Sequence, residues 1–430
     1  MRILRYDQKN FVSALKKLDR RYAPPSGVEA IVKGILDEVR KKGDSALIEF
    51  SNRFDQARFT SAKQLRVTPT ELTAADAAVD ATTKKAIAAS RKNVTAFAKR
   101  SLRKGWTAKN AQGALVGERY LPFQRVGIYV PGGSAPLVST SNMTVCLAAA
   151  AGCPEIVVMT PPGPGGVVNP ALLYALKEAG ATEIYKVGGA QGLAAMAYGT
   201  KTIRPVLKVY GPGNSFVVEA KRQLFGVVAV DLLPGPSEVV TLSDGSGNPA
   251  YIAADMLAQA EHGGDSIMGL VTDSPKLLNA VKAEIEKQIQ TLSRQAQLRK
   301  ALRDGAWMVL VESLEDGVAL VNAFAPEHLS LIVRNENAVV PLITTSGAIF
   351  LGNDSPVAVG DFLAGPSHEL PTGGAGKSFP GLTVDMFQRR TSIVRLDQDS
   401  IRKSVPIVEA FAKVEGLDAH GRSASIRVRR

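Results

Sequence analysis

The chain has 430 residues, of which 45% are hydrophobic and 21% are charged, and its formal net charge is +12. This composition excludes a disordered chain and is ample for a large core divided among two to four domains. Its two cysteines, Cys146 and Cys153, exclude a disulfide framework.

Localisation and partner class follow from the same composition. The amino-terminal sequence lacks the apolar segment of a secretory signal, and no apolar run approaches the roughly 20 residues that span a bilayer. We therefore expect a cytoplasmic protein without a membrane partner. Lysines and arginines are scattered, and no finger, recognition-helix or RNP signature accompanies them. We expect a basic surface with an anionic small-molecule partner in place of nucleic acid.

The predicted elements begin with mainly helical structure over the first 125 residues, typified by the periodic apolar run 27–54. Beyond that point, β-rich runs alternate with helical runs. Five strands are predicted near 125–130, 155–161, 183–188, 206–211 and 227–233. A second α/β unit has strands predicted near 238–244, 266–272, 306–311, 330–333 and 348–352. Alternation of this kind predicts parallel sheets in both units.

Three glycine-containing loops follow predicted strands of the first unit, at 130–136, 187–192 and 210–216. Glycine lets the backbone approach a ligand closely, and ligands of open α/β sheets bind at the carboxyl ends of strands. None of the loops has the GxGxxG or phosphate-loop spacing, so each alone is equally compatible with a tight turn. Three loops in one unit favour a nucleotide crevice.

The histidines offer candidate metal ligands. We predict that His262 lies on a helix with Gln259, ended by Gly263 and Gly264, where the alternative is a histidine favoured by the helix dipole. His368 follows Asp361 by seven residues, and His420 follows Glu415 by five. Taken alone, His368 and His420 are each compatible with a surface or capping position. Two histidines, an aspartate and a glutamine together suit Zn²⁺, although the spacing matches no metal motif.

An acid and a base, Glu327 and His328, interrupt the apolar run 323–331. Histidine suits proton transfer near neutral pH, and a partly buried glutamate can activate water. We expect the two adjacent side chains to point in opposite directions and to serve different atoms. The alternative is a polar pair on a surface loop. For Cys146 and Cys153, which lack basic neighbours, we predict buried packing.

Several long motifs carry a resemblance over the whole chain. They are RVGIYVPGGSAPL, VGGAQG, YGPGN, GPSEV, AADMLAQAEHG, APEHL, GDFLAGPSHELPTGG and EGLDAH. With these motifs the chain resembles the histidinol dehydrogenase family. The resemblance implies oxidation of L-histidinol to L-histidine through bound histidinal, the last step of histidine biosynthesis, with zinc and two NAD⁺ per turnover.

The resemblance also implies residue roles. Glu327 and His328 match the catalytic pair, with His328 as general base and Glu327 activating water. The metal ligands correspond to Gln259, His262, Asp361 and His420. Positions that hold the substrate are these four together with Ser237, His328, His368 and Glu415. Dinucleotide contacts correspond to Tyr129, Gln191 and Asn214.

The family architecture implies two related Rossmann-like parallel-sheet domains, one inserted in the other, with small terminal arms. We predict an arm over 1–22, a first domain from 23–125 and 238–380, a nested NAD-contacting domain over 126–237, and a C-terminal arm over 381–430 that crosses to the partner of a homodimer. Three alternatives stay open: a related dehydrogenase of another small polar alcohol such as a sulfonated diol, a nucleic-acid-binding protein, and an inactive scaffold.

Overall fold

The computed structural model describes residues 1–18, 25–132, 136–263 and 265–428. Its strands are β1 (Arg2–Arg5), β2 (Trp106–Lys109), β3 (Leu115–Pro122), β4 (Arg125–Tyr129), β5 (Glu155–Met159), β6 (Glu183–Tyr185), β7 (Lys208–Tyr210), β8 (Ala229–Val230), β9 (Glu238–Ser243), β10 (Ile267–Thr272), β11 (Ala306–Leu310), β12 (His328–Ile332), β13 (Ala348–Leu351) and β14 (Gln388–Arg395).

The α-helices are α1 (Phe11–Leu15), α2 (Val28–Lys42), α3 (Asp44–Asp55), α4 (Pro69–Ala78), α5 (Ala81–Arg100), α6 (Val138–Ala151), α7 (Pro170–Ala179), α8 (Gly189–Tyr198), α9 (Ser215–Leu224), α10 (Pro249–Ala260), α11 (Pro275–Gln288), α12 (Gln295–Gly305), α13 (Leu314–Phe324), α14 (Glu336–Val339), α15 (Val357–Phe362), α16 (Gln398–Glu415) and α17 (Asp418–Ser425).

A six-stranded parallel sheet within the described residues has the order β1-β11-β10-β9-β12-β13. Strands β9 to β13 of this sheet confirm the five strands predicted after residue 237. Strands β9, β11 and β12 are buried along their whole length, as expected for a parallel sheet covered on both faces. The sequence patterns do not predict β1, which joins the edge of the sheet beside β11.

The second parallel sheet has the order β6-β5-β4-β7-β8 and confirms the five strands predicted before residue 237. In the chain it lies between β1 and β9, so one sheet is inserted within the other. Apolar clusters cover both of its faces. The predicted fold class, with two parallel α/β sheets, is confirmed.

The helices between residues 28 and 100 pack on the five-stranded unit: α2 contacts α8 and α9, α4 contacts α7, and α5 contacts α6. Gly43 separates α2 from α3, and its φ of +56° is a conformation that side chains with a Cβ rarely adopt. The division into domains stays a proposal. This packing favours grouping residues 28–100 with 126–237, whereas our prediction grouped them with 238–380.

A three-stranded antiparallel sheet, β14-β3-β2, is also absent from the sequence-based prediction. It pairs 388–395 with 115–122 and connects the C-terminal arm to the chain before β4. These strands are half-exposed and rich in charged residues, so they lack the apolar runs that mark the buried parallel strands. Beyond them, α16 and α17 pack mainly on each other.

No helix in the described part of the chain has the length and apolarity needed to cross a bilayer.

Candidate active site

The acid–base pair lies at the amino end of β12. Helix α13 ends at Phe324, and Ala325 takes a left-handed conformation with φ of +54°. The chain then turns at Pro326, whose carbonyl accepts a hydrogen bond from Gly347. Glu327 and His328 are buried, with 6% and 4% of their surfaces exposed. They therefore lie inside the molecule, and the surface-loop alternative is wrong.

Glu327 is held by the neighbouring strand. Its Oε2 accepts hydrogen bonds from Ser237 Oγ and from the Glu238 backbone N–H, both at 2.7 Å. Its own backbone N–H donates to Glu238 Oε2 at 3.3 Å. This reciprocal exchange between the starts of β9 and β12 fixes the carboxylate, and it brings the predicted residue Ser237 to the pair.

The ring of His328 has a defined orientation. Its Nδ1 lies 2.9 Å from the Glu238 carbonyl oxygen, which can only accept, so Nδ1 carries the proton. Nε2 lies 3.6 Å from Asp361 Oδ1. Burial favours the neutral ring, but the carboxylates of Glu327 and Asp361 outweigh it and raise the pKa of His328 to about 9. The site is therefore a strongly anionic environment around one imidazole.

Our expectation that the two adjacent side chains point in opposite directions is wrong. Glu327 Oε2 and His328 Nδ1 are 3.5 Å apart. Side chains alternate only within a regular strand, and β12 begins at His328, one residue after the glutamate. The turn at 325–326 and the hydrogen bonds to β9 direct Glu327 towards the imidazole instead.

His368 joins the same region from the segment after α15. Its Nδ1 lies 2.9 Å from the Asp361 carbonyl oxygen, and its Nε2 lies 3.4 Å from both Thr140 Oγ1 and Glu369 Oε1. Burial opposes protonation, yet the hydrogen bond and charge of Glu369 prevail and raise the pKa of His368. Because Thr140 belongs to α6, the nested unit contacts the site here.

A cavity of about 310 Å³ opens beside this group. His328, His368 and Ser367 line it together with residues of the edge strand β13 and of α15. Its volume is at the lower end of the range for small-molecule pockets. Both imidazoles thus belong to the wall of one cavity.

The predicted metal ligands are only partly assembled in the single chain. Gln259 and Asp361 come from α10 and α15, which are in contact. Gln259 is buried, and its Nε2 has no hydrogen-bond partner among the described residues. The predicted helix through His262 is too long, because α10 ends at Ala260 and leaves His262 exposed in the following turn. The capping role predicted for Gly264 lies outside the described residues.

The arm residues Glu415 and His420 are exposed and lie at the end of α16 and within α17. The structure does not bring them to the pair within one chain. In the described residues, no three His, Cys, Asp or Glu side chains form a metal-binding group. The chemical types of the four predicted ligands, glutamine, aspartate and two histidines, nevertheless suit zinc.

The predicted dinucleotide contacts meet at the carboxyl ends of the five-stranded sheet. The hydroxyl of Tyr129, at the end of β4, accepts a hydrogen bond of 3.1 Å from Gly189 N–H at the start of α8. Gln191 is buried in the first turn of α8. Asn214 caps α9, its Oδ1 accepting from the N–H groups of Phe216 and Val217. The cap occupies Oδ1, so Nδ2 is the donor left for a ligand.

Sequence reasoning missed two carboxylates. Glu238 is 1% exposed, and its Oε1 accepts from Gly373 N–H at 2.9 Å while its backbone orients both catalytic candidates. Glu369 is buried against His368. Each carried a usable signal: Glu238 is an acid at the start of an apolar strand, and Glu369 directly follows a histidine.

Cys146 and Cys153 are buried free thiols, and burial raises the pKa of each to about 11. Their predicted packing role is confirmed.

Comparison with known proteins gives consistent matches along the whole chain. The model of the histidinol dehydrogenase family matches residues 18–428. The chain is 42% identical over 430 residues to histidinol dehydrogenase from Syntrophotalea carbinolica, covering 100% of this chain and 99% of that protein. It is 43% identical over 401 residues to the Rhizobium meliloti protein, covering 93% and 92%. The crystal structure of histidinol dehydrogenase from Elizabethkingia anophelis matches with a TM-score of 0.94 at 34% identity, covering 100% of this chain and 98% of that one.

Proposed function

The chain belongs to the histidinol dehydrogenase family, and from this premise we propose that it oxidises L-histidinol to L-histidine through bound histidinal. The reaction is a four-electron oxidation that uses NAD⁺ twice and forms the last step of histidine biosynthesis. The observation that carries this proposal is the buried Glu327–His328 pair, held by β9 beside a small cavity.

The geometry around His328 suits a general base. Because Nδ1 donates to the Glu238 carbonyl, Nε2 of the neutral ring is the nitrogen that takes the hydroxyl proton of the substrate. As that proton leaves, the carbinol carbon gives up a hydride and the alcohol becomes an aldehyde. When bound, NAD⁺ supplies the hydride acceptor, and zinc supplies a Lewis acid that orients the substrate nitrogens and offsets the Asp361 charge beside His328.

Glu327 suits the second half of the reaction. Its Oε2 is engaged with Ser237 and Glu238, so Oε1 is the oxygen that takes a proton from water. The oxygen of that water bonds to the aldehyde carbon, and His328 returns the proton that it took in the first step to the former carbonyl oxygen. The product is a hydrate, and His328 is neutral again. His328 takes a hydroxyl proton of the hydrate as the carbon gives up the second hydride, which leaves the carboxyl group of histidine. The burial of the pair limits water to this role.

We propose that Gln259, His262 and Asp361 hold zinc together with His420. The donor types fit the metal, and Gln259 is buried with an amide nitrogen that makes no hydrogen bond within the described residues, so this nitrogen does not tie the side chain to the fold. We propose that Tyr129, Gln191 and Asn214 contact NAD⁺, and that Ser237, His368 and Glu415 help to hold histidinol.

The C-terminal arm supports a homodimer. Its exposed apolar side chains are Val394, Leu396, Ile407, Phe411, Val414, Leu417 and Ile426. Since α16 and α17 pack mainly on each other, this apolar surface has the character of an interface. We propose that the arm crosses to a partner, that Glu415 and His420 complete the partner's site, and that the enzyme works in the cytoplasm.

The test is NADH formation from L-histidinol, measured before and after chelation and after Zn²⁺ is restored. We expect two NADH per histidinol, loss of turnover on chelation and recovery with zinc. One NADH per histidinol with release of free aldehyde would overturn the two-step mechanism. Turnover of a sulfonated diol in preference to histidinol would assign the chain another substrate.

A further inference from the structure

A buried lysine–aspartate pair lies behind the loop 210–216. Lys221 belongs to α9, and Asp231 directly follows β8. Their side chains are 1% and 3% exposed, with 2.5 Å between Nζ and Oδ1. An ion pair removed from water is costly unless its remaining hydrogen-bonding groups are satisfied. The partners of the two charged groups therefore indicate what the pair does.

Both members of the pair bind the backbone of Gly211. Lys221 Nζ donates to the Gly211 carbonyl and, at 3.3 Å, to the Leu232 carbonyl. Asp231 Oδ2 accepts from the Gly211 N–H at 2.8 Å. The peptide groups on both sides of one residue are thus held by opposite charges. Gly211 has φ of +106°, and a Cβ there would lie 2.1 Å from the Tyr129 carbonyl oxygen, so the backbone approaches β4 closely.

The pair is connected to Asn214 through the backbone of one loop and one helix. Gly211 begins the loop, and Asn214 ends it as the cap of α9. Lys221 follows Asn214 by seven residues and lies in the second turn of the helix that Asn214 caps. One end of the loop is fixed through Gly211 and the other through the helix that carries Lys221. The Asn214 amide is therefore pre-positioned.

We propose that Lys221 and Asp231 are positioning residues for the dinucleotide: by fixing Gly211, they set the place where Tyr129 and Asn214 meet NAD⁺. The proposal rests on the proposed function, which supplies the ligand. A pair with a purely structural role would affect stability and leave the affinity for NAD⁺ unchanged. A positioning pair affects NAD⁺ affinity in protein that is still folded.

The experiment compares NAD⁺ binding by titration calorimetry with KM for each substrate and with the melting temperature. Lys221→Met nearly keeps the length of the side chain and removes the charged donor. We expect its Kd for NAD⁺ to rise at least about tenfold, with KM for histidinol changed less than about threefold. Asp231→Asn removes the negative charge and leaves one acceptor oxygen for two donors, Lys221 Nζ and the Gly211 N–H, and we expect a weaker effect in the same direction.

Arg125→Met is the matched control. Arg125 is also buried and ion-paired, with Glu155 and Glu183, but it begins β4 at the opposite end of the strand from the loops. We expect it to lower the melting temperature and leave the Kd for NAD⁺ unchanged. Wild-type NAD⁺ affinity in folded Lys221→Met would overturn the proposal. So would an equal loss of affinity in Arg125→Met at the same loss of stability.

A double variant and a binding measurement without turnover make the result interpretable in every case. If Lys221→Met does not fold, the double variant Lys221→Met/Asp231→Leu replaces the whole pair by apolar groups, and the same comparison with Arg125→Met is made. Calorimetry reports on the pair without turnover, so a wild-type protein that binds NAD⁺ but does not oxidise histidinol refutes the proposed function alone. A wild-type protein that does not bind NAD⁺ refutes both.

Discussion

Candidate site residues lie at the amino end of the six-stranded sheet and in the C-terminal arm, and the two groups differ in burial and hydrogen bonding. Glu327 and His328 are buried and hydrogen-bonded to β9, whereas Glu415 and His420 are exposed on helices that pack mainly on each other. The residues proposed for proton transfer are thus positioned within one chain. Under our proposal, Glu415 and His420 join a site only through a partner subunit and a metal.

The largest expected effect is at the buried half. His328→Ala removes the base, and we expect kcat for histidinol oxidation to fall by about 10²–10⁴. Glu327→Gln keeps the shape of the side chain, and we expect a loss of the same order that falls mainly on the aldehyde step. Steady-state NADH formation measures both. The surface variant Glu286→Gln serves as the control, and near-normal turnover in His328→Ala would contradict the assignment.

A mixing experiment tests whether the arm works in the partner's site. His328→Ala and His420→Ala are each expected to be inactive. In a dimer containing one copy of each, one site has an intact base and receives the intact arm of the other chain. Random exchange of subunits should then restore about a quarter of the wild-type activity. Activity that stays at the level of the separate variants after demonstrated exchange would show that the arm does not cross.

The effect of metal removal on the melting temperature tests the proposed zinc site. Zinc that binds only the folded protein stabilises it by about 2.7 kcal/mol at a hundred times its Kd. We expect Zn²⁺ to raise the melting temperature of the chelator-treated protein by roughly 3 °C. His262→Asn should abolish this rise, since His262 is a proposed ligand and, being exposed, contributes little packing. An undiminished rise in that variant would exclude His262 from the site.

The smallest expected effect concerns Glu183, a half-buried charge without a proposed chemical role. Hydrogen bonding and charge from Arg125 lower the pKa of Glu183 to about 2. The charged groups near this carboxylate are Arg66, Arg125, Glu155 and Arg204, and the neutral Tyr185 hydroxyl donates to it. Because the folded-state pKa lies below the ordinary value, the stabilisation is complete above about pH 4.5 and is lost as pH falls towards 2.

The variant Glu183→Gln should therefore cost about 1 kcal/mol at pH 7, after allowance for solvent screening. Urea unfolding measures this difference from wild type, and we expect it to shrink at pH 3.5. NAD⁺-linked turnover at pH 7 should not change. A stability difference that is constant with pH would contradict the lowered pKa of Glu183.

Local pattern alone determined much of this protein. The buried strands of both parallel sheets, the helices between them and the apolar packing of Cys146 and Cys153 follow from runs of apolar residues with a fixed period. The acid–base pair was also visible, because an adjacent carboxylate and imidazole stand out within an apolar run. Such signals lie within a few residues of one another, so no distant contact is needed to find them.

Tertiary structure decided the rest. Glu327 turns towards His328 because β9, about ninety residues earlier in the chain, donates to it. β1 and the antiparallel β14-β3 pair exist through partners far away in the sequence. The Lys221–Asp231 pair also depends on where β8 ends relative to α9. Hydrogen bonds between distant segments leave no periodic trace in the sequence, which is why only the folded chain reveals what orients its chemistry.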